Sequence, residues 1–239
     1  MALRQYEDIS DVASDMSSPR SSMDEPPPSS NSLELSPHHK HIWIVTGPAG
    51  CGKSTVGKLL SDALSYPYIE GDEYHPPSNV AKMASGIPLN DADRWDWLIH
   101  LRDAALDVLS PSAATSNKAT SSIPSAKALP SPPNGVIVTC SALKRKYRDV
   151  IRTACYFNPL IRVHFVYLRA SEKLLLQRVR QRQGHYMKEG MVKSQFQELE
   201  EPDEDEKSMD CVVVGVERRE VNEVQKMALA RVQAVLAAD

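Results

Sequence analysis

Short apolar runs alternate with helix-spaced apolar stripes along most of this chain. The runs lie at 42–46, 66–69, 136–140, 161–168 and 211–216 and are rich in Val and Ile, as strands buried on both faces must be. Between them, Trp95, Leu98, Ile99, Ala105, Leu106 and Leu109 fall on one helical face. Val192, Phe196 and Leu199 do the same, and so do Val221, Val224, Ala228, Val232 and Val235. Strand–helix alternation predicts an α/β fold, a parallel sheet with helices on both faces. Ligands of such sheets bind in the crevice at the strands' carboxyl ends. That crevice would gather the turn after the first strand, Asp72, Ser141 and the segment after Leu168.

Two stretches break the pattern. Residues 1–40 are rich in Ser, Pro and Asp, and residues from about 110 to 134 repeat that composition with a few lysines. Neither can bury enough apolar surface to offset the entropy of ordering, so both are expected to be disordered. The second would be a long surface insertion in a domain spanning 41–239, which costs little to close. Four Ser-Pro pairs in these tracts (at 18, 36, 110 and 131) read as parts of solvated spacers. The cluster His38, His39 and His41 borders the first tract and is expected to bind nothing.

Composition narrows the partners. The net charge of −3 provides no basic field for nucleic acid or a membrane surface. No apolar stretch approaches a membrane span, and the acidic start of the chain lacks the features of a signal or transit peptide. The four cysteines have no C-x-x-C spacing and read as reduced thiols, so a cytoplasmic location is expected.

The chemistry begins at Gly47-Pro48-Ala49-Gly50-Cys51-Gly52-Lys53-Ser54, which follows the first strand and opens a helix. The pattern G-x-x-x-x-G-K-[ST] turns successive backbone N–H groups toward one point at the positive end of a helix and so holds phosphates. Lys53 would reach the β- and γ-phosphates, Ser54 would complete the shell of a Mg²⁺ ion, and Thr55 would extend the nucleotide contacts. A nucleoside triphosphate is therefore the expected ligand. Cys51, a thiol at a helix N-terminus, is expected to be acidic and open to oxidation.

Other candidates sit where the crevice is predicted. Asp72, at the end of the second strand, could serve the metal or take a proton from an attacking hydroxyl. His75 could touch substrate or simply occupy a loop. The segment 140–148 places Ser141, Lys144, Tyr147 and Arg148 after the third strand, a lining suited to an anionic, hydroxyl-rich ligand. Arg145 and Lys146 read as a solvated face. Arg178 and Arg182, one helical turn apart, could fold over a transferring phosphoryl group or make surface ion pairs. No N-K-x-D string supports guanine recognition.

Assembled, these strings resemble the small P-loop (thermoresistant) gluconokinases. The match rests on 47–54, on Gly71-Asp72 with His75-Pro76, and on Gly86-Ile87-Pro88-Leu89-Asn90-Asp91 with Asp93-Arg94 and Trp97. It continues through Cys140-Ser141-Ala142-Leu143-Lys144 with Tyr147-Arg148-Asp149, Arg182 with Gly184-His185, Ser194-Gln195-Phe196 and Glu201-Pro202. The resemblance implies a three-layer P-loop kinase fold with a five-stranded parallel sheet and a helical lid. It implies transfer of the γ-phosphate of ATP, with Mg²⁺, to the C6 hydroxyl of D-gluconate, giving 6-phosphogluconate for the pentose phosphate pathway. By it, Asp72 orients or deprotonates that hydroxyl or holds the metal, and Lys53, Arg182 and Arg178 neutralise the transition state. His75, Arg94, Ser141, Lys144, Tyr147 and Arg148 grip gluconate, Glu201-Pro202 borders adenine, and relatives imply a homodimer. Cys51 and Asp96 depart from the family's usual serine and proline.

Overall fold

The computed structural model describes residues 39–110, 132–181 and 189–239, all within one compact unit, 37–239. The tail and insertion expected at 1–40 and 110–134 lie, except at their edges, outside the described residues, as do Arg182, Gly184 and His185. Lys40, placed in the tail by composition, instead opens the first strand.

Five strands form a single sheet: β1 (Lys40–Thr46), β2 (Tyr68–Glu70), β3 (Gly135–Thr139), β4 (Ile161–Arg169) and β5 (Cys211–Gly215). All pairings are parallel and the order is β2-β3-β1-β4-β5. The helices are α1 (Lys53–Leu64), α2 (Pro77–Ala84), α3 (Asp91–Leu109), α4 (Arg145–Arg152), α5 (Ala154–Phe157), α6 (Glu172–Gln181), α7 (Glu189–Glu198), α8 (Glu204–Met209) and α9 (Val221–Leu236). Among the described residues no helix is long and apolar enough to cross a membrane.

Period-two alternation divides each strand between two cores. Ile42, Ile44, Val136, Val138 and Phe165 pack under α3, α4 and α5 on one face. Trp43, Val45, Ile137, Val166 and Val214 pack under α1, α6, α7 and α9 on the other. With both faces covered, the strands carry continuous apolar runs, which is why composition alone revealed them. β1 lies between β3 and β4, so the crossovers leave it in opposite directions and open a crevice beyond its carboxyl end.

Candidate active site

The turn between β1 and α1 owes its shape to three glycines. Gly47, Gly50 and Gly52 have φ of 138°, 82° and 108°, in the left-handed region that side chains avoid. The loop can therefore wrap tightly and aim its N–H groups inward. Lys53 Nζ donates to the carbonyls of Gly47 (3.0 Å) and Pro48 (3.2 Å), which lays the ammonium across the loop's mouth.

Two cavities meet at this loop. One, about 340 Å³, is lined by Ala49, Lys53, Asp72, His75, Arg94, Trp97, Ser141, Ser194 and Gln195, among others. The second, about 240 Å³, is lined by Gly50, Cys51, Gly52, Thr55, Arg178, Gln181, Val216, Val221 and Val224. The phosphate loop is thus the wall between them. The mixed polar cavity suits a hydroxylated acceptor, and the Val-rich one suits a flat base.

Asp72 is held at the first cavity by its neighbours. It lies in a 3₁₀ turn, Gly71–Tyr74, whose Gly71 N–H donates to Thr139 Oγ1 (3.2 Å) while Trp97 Nε1–H donates to Gly71 O (2.8 Å). A Cβ on Gly71 would fall 2.0 Å from Thr139 O, so only glycine permits this approach. His75 stacks on Trp97 with ring centroids 4.0 Å apart, and burial lowers its pKa, favouring the neutral ring.

The string Asn90 to Arg94 acquires separate roles. Asn90 and Asp93 form a reciprocal capping box (3.0 and 2.9 Å) that starts α3, and Lys82 pairs with Asp93 at 2.5 Å. Buried Asn79 donates to Asp93 O at 2.6 Å. Arg94, one residue on, is only 9% exposed and points into the cavity. Its guanidinium donates to Tyr147 OH (3.3 Å) and lies over the Tyr147 ring (5.4 Å), with no carboxylate in ion-pair contact among the described residues. A buried cation with an open side toward a cavity calls for an anion there.

Several expected site residues are elsewhere. Arg148 is 1% exposed and turned away from the cleft. Its Nε and Nη2 form a fork on Glu206 (2.7 and 2.6 Å), and Nη1 donates to the carbonyls of Ala142, Leu143 and Glu200. It is therefore a structural clamp rather than a substrate ligand, since all three guanidinium nitrogens donate inside the protein. Tyr147 is buried behind Arg94, its hydroxyl shared between Arg94 and Asp91, so it positions rather than grips. Lys144 pairs with Asp91 (3.3 Å) and Glu198 in a recess adjoining the acceptor cavity. Ser141 does line the cavity, with its carbonyl held by Thr46 Oγ1 at 2.6 Å.

Glu201 and Pro202 do not border the base cavity. Glu201 pairs with Arg169 at 3.0 Å, Pro202 is buried, and Val216 to Val224 supply that wall instead. Arg178 belongs to the base side, where it donates to Gly50 O at 3.4 Å. Cys51 is the reverse of an acidic thiol: it is 1% exposed, and burial raises its pKa despite the charge of Lys53.

Pattern reading missed Glu70 and Gln195. Burial alone would raise the Glu70 carboxyl, yet the hydroxyls of Thr139, Tyr68 and Ser54 bond to it and Lys53 adds charge, so its pKa falls below the ordinary value. An ionised carboxylate beside Ser54 gives the hard oxygen pair that suits a divalent cation. Its signal was an acid two residues before Asp72 at a strand end. Gln195 Oε1 accepts from Ala49 N–H at 2.7 Å, a contact that a helix 146 positions away cannot announce in sequence.

The chain is similar to known proteins over most of its length. A family model described as the Rad17 P-loop domain matches residues 28–84. A probable gluconokinase of Schizosaccharomyces pombe is 41% identical over 179 residues, covering 75% of this chain and 81% of the relative. A probable gluconokinase of Saccharomyces cerevisiae is 42% identical over 190 residues, covering 77% and 86%. Among solved structures, a gluconokinase from Sinorhizobium meliloti 1021 superposes with a TM-score of 0.63 at 33% identity, covering 84% of this chain and 95% of that one.

Proposed function

The chain belongs to the gluconokinase family, ATP-dependent kinases of gluconate, and from that premise we propose how its cleft works. The observation that carries the reading is the acceptor cavity, with Lys53 and the phosphate loop at one wall and, in the same space, the guanidinium of Arg94, which has no ion-pair carboxylate among the described residues. D-Gluconate has an anionic carboxylate at one end and the C6 hydroxyl at the other. Arg94 holds the carboxylate, and Ser141 and neutral His75 bond intermediate hydroxyls. The C6 hydroxyl then lies between Asp72 and the phosphate loop.

Asp72 orients that hydroxyl and takes its proton as the C6 oxygen bonds to the γ-phosphorus and the bond to ADP breaks. Lys53 offsets charge on the phosphoryl oxygens, while Arg178 steadies the loop from the base side. Ser54, backed by Glu70, would hold Mg²⁺, which when bound neutralises phosphate charge. Asp72 is free to face the acceptor. The role expected of Arg182 is proposed on the resemblance alone. All four cysteines are free thiols, which supports a reducing, cytoplasmic setting. A homodimer is likewise proposed on the resemblance alone, to be measured by light scattering.

The test is a coupled assay of ADP release with MgATP and D-gluconate, with glucose, shikimate and AMP in parallel. Turnover confined to gluconate is the expected result. Equal turnover with glucose, which lacks the carboxylate, would overturn the role of Arg94.

A further inference from the structure

We propose that Gln195 is a residue of the phosphoryl-transfer site, its carboxamide contacting the terminal phosphate of the bound triphosphate. The inference rests on the kinase reading above and extends it to a residue with no assigned role.

Three observations carry it. First, Met191, Ser194 and Gln195 stand at i, i+3 and i+4 on α7 and all line the acceptor cavity. That spacing is one helical face, and buried Val192 packs another part of the helix into the core, so the direction of Gln195 is set by the fold. Second, its Oε1 accepts from Ala49 N–H at 2.7 Å. Ala49 belongs to the loop whose N–H groups are arranged for phosphate oxygens, so the carboxamide oxygen sits where such an oxygen would accept. Third, Lys53, Ala49 and Gln195 all line the acceptor side of the loop, the side that also holds Asp72. The terminal phosphate must pass through that side to reach the acceptor.

A carboxamide has an acceptor at one end and two donors at the other. Facing a phosphate oxygen, the Oε1 end is repelled and a half-turn about the terminal torsion presents Nε2–H instead. Gln195 would thus exchange its bond with Ala49 for a donated bond to the γ-phosphate, a contact that ADP cannot make. Arginine is not required for this, since the charge on the phosphate strengthens a bond from a neutral amide.

The experiment compares wild type with Gln195→Ala, Gln195→Met and Gln195→Glu in the full chain. Affinities for ADP and for a non-hydrolysable ATP analogue are measured by calorimetry with Mg²⁺, alongside steady-state kinetics. Gln195→Met keeps length and helix propensity, which separates the contact from any effect on folding. The expected result is a kcat lower by roughly 10–100-fold in Ala and Met, the range for a hydrogen bond to a charged group. The gluconate KM should stay close to wild type and the preference for the triphosphate over ADP should fall. Gln195→Glu should lose that preference most, because it brings a carboxylate to the phosphate. An unchanged preference in all three variants would overturn the proposal, whatever happens to kcat. Absence of gluconate turnover by the wild type would defeat the substrate reading instead, and the binding arm would still judge Gln195.

Discussion

Replacing Arg148 by Met separates a substrate ligand from a structural clamp. The guanidinium is buried with the Glu206 carboxylate, itself 1% exposed, and Arg152 holds the far side of that carboxylate at 2.7 Å and Asp210 at 2.7 Å. Removing one member of a buried pair commonly costs about 3–5 kcal/mol because the other charge is left without its partner. The titration of Glu206 reports the combined hold of Arg148 and Arg152 on that carboxylate. Burial would raise its pKa, but Arg148 and Arg152 hold it at about 2 against 4.5 for the free side chain. The unfolded chain therefore binds this proton first as pH falls. The stabilisation is complete above about 4.5 and lost toward about 2, and amounts to about 3 kcal/mol.

For a domain of this size, a loss of about 3–5 kcal/mol translates to a Tm lower by roughly 6–20 °C. The clamp also holds the carbonyls of Ala142 and Leu143, where Ala142 has a φ of 34°, a conformation that costs a non-glycine residue about 1–3 kcal/mol. The assay is thermal unfolding followed by circular dichroism at pH 7 and pH 4, with gluconate KM measured below the transition. Arg148→Met combined with Glu206→Leu should regain much of the lost stability, because the buried carboxylate, then held by Arg152 alone, is gone. An unchanged Tm together with a large rise in gluconate KM would refute this account and return Arg148 to the cleft.

Asp72→Asn should lower kcat by about 10²–10⁴-fold with nucleotide affinity little changed, since the amide cannot take the proton; stopped assays with calorimetry would check both. Arg94→Met should raise the gluconate KM by about 10–100-fold while the KM for ATP stays near wild type, as one charge-assisted contact is lost. His164 is held neutral by burial, aided by His41, with a pKa near 4 against the usual 6.5. The unfolded chain binds this proton at the higher pH, so stability should fall as pH drops from about 6.5 to about 4. His164→Phe, which preserves the stack on Trp43 at 4.3 Å, should flatten that dependence in melts across the range. Native alkylation followed by mass spectrometry should label half-buried Cys155 before Cys51, Cys140 or Cys211, which are buried; early labelling of Cys51 would contradict its raised pKa.

Much of the fold was legible because its signals are local. A parallel sheet covered on both faces forces continuous apolar strands, so four of the five appeared as Val- and Ile-rich runs and β2 as Tyr66-Pro67-Tyr68-Ile69, each within two residues of its observed bounds. The phosphate loop was legible for the same reason: eight adjacent residues set both its backbone angles and its cation.

Tertiary structure decided which charged side chains face the cleft. Tyr147 and Arg148 are adjacent, yet helix geometry and the distant Glu206 turn one toward Arg94 and bury the other beneath α8. Cys51 sits within the phosphate-loop motif, but packing against the second core sets its pKa, and packing is not a property of the string. Glu70 and Gln195 reach the phosphate loop from β2 and α7, segments far apart in sequence. Local patterns specify elements and loops because their forces act over a few residues. Burial, charge pairing and the lining of a cavity depend on which elements meet, and that is settled only when the chain has folded.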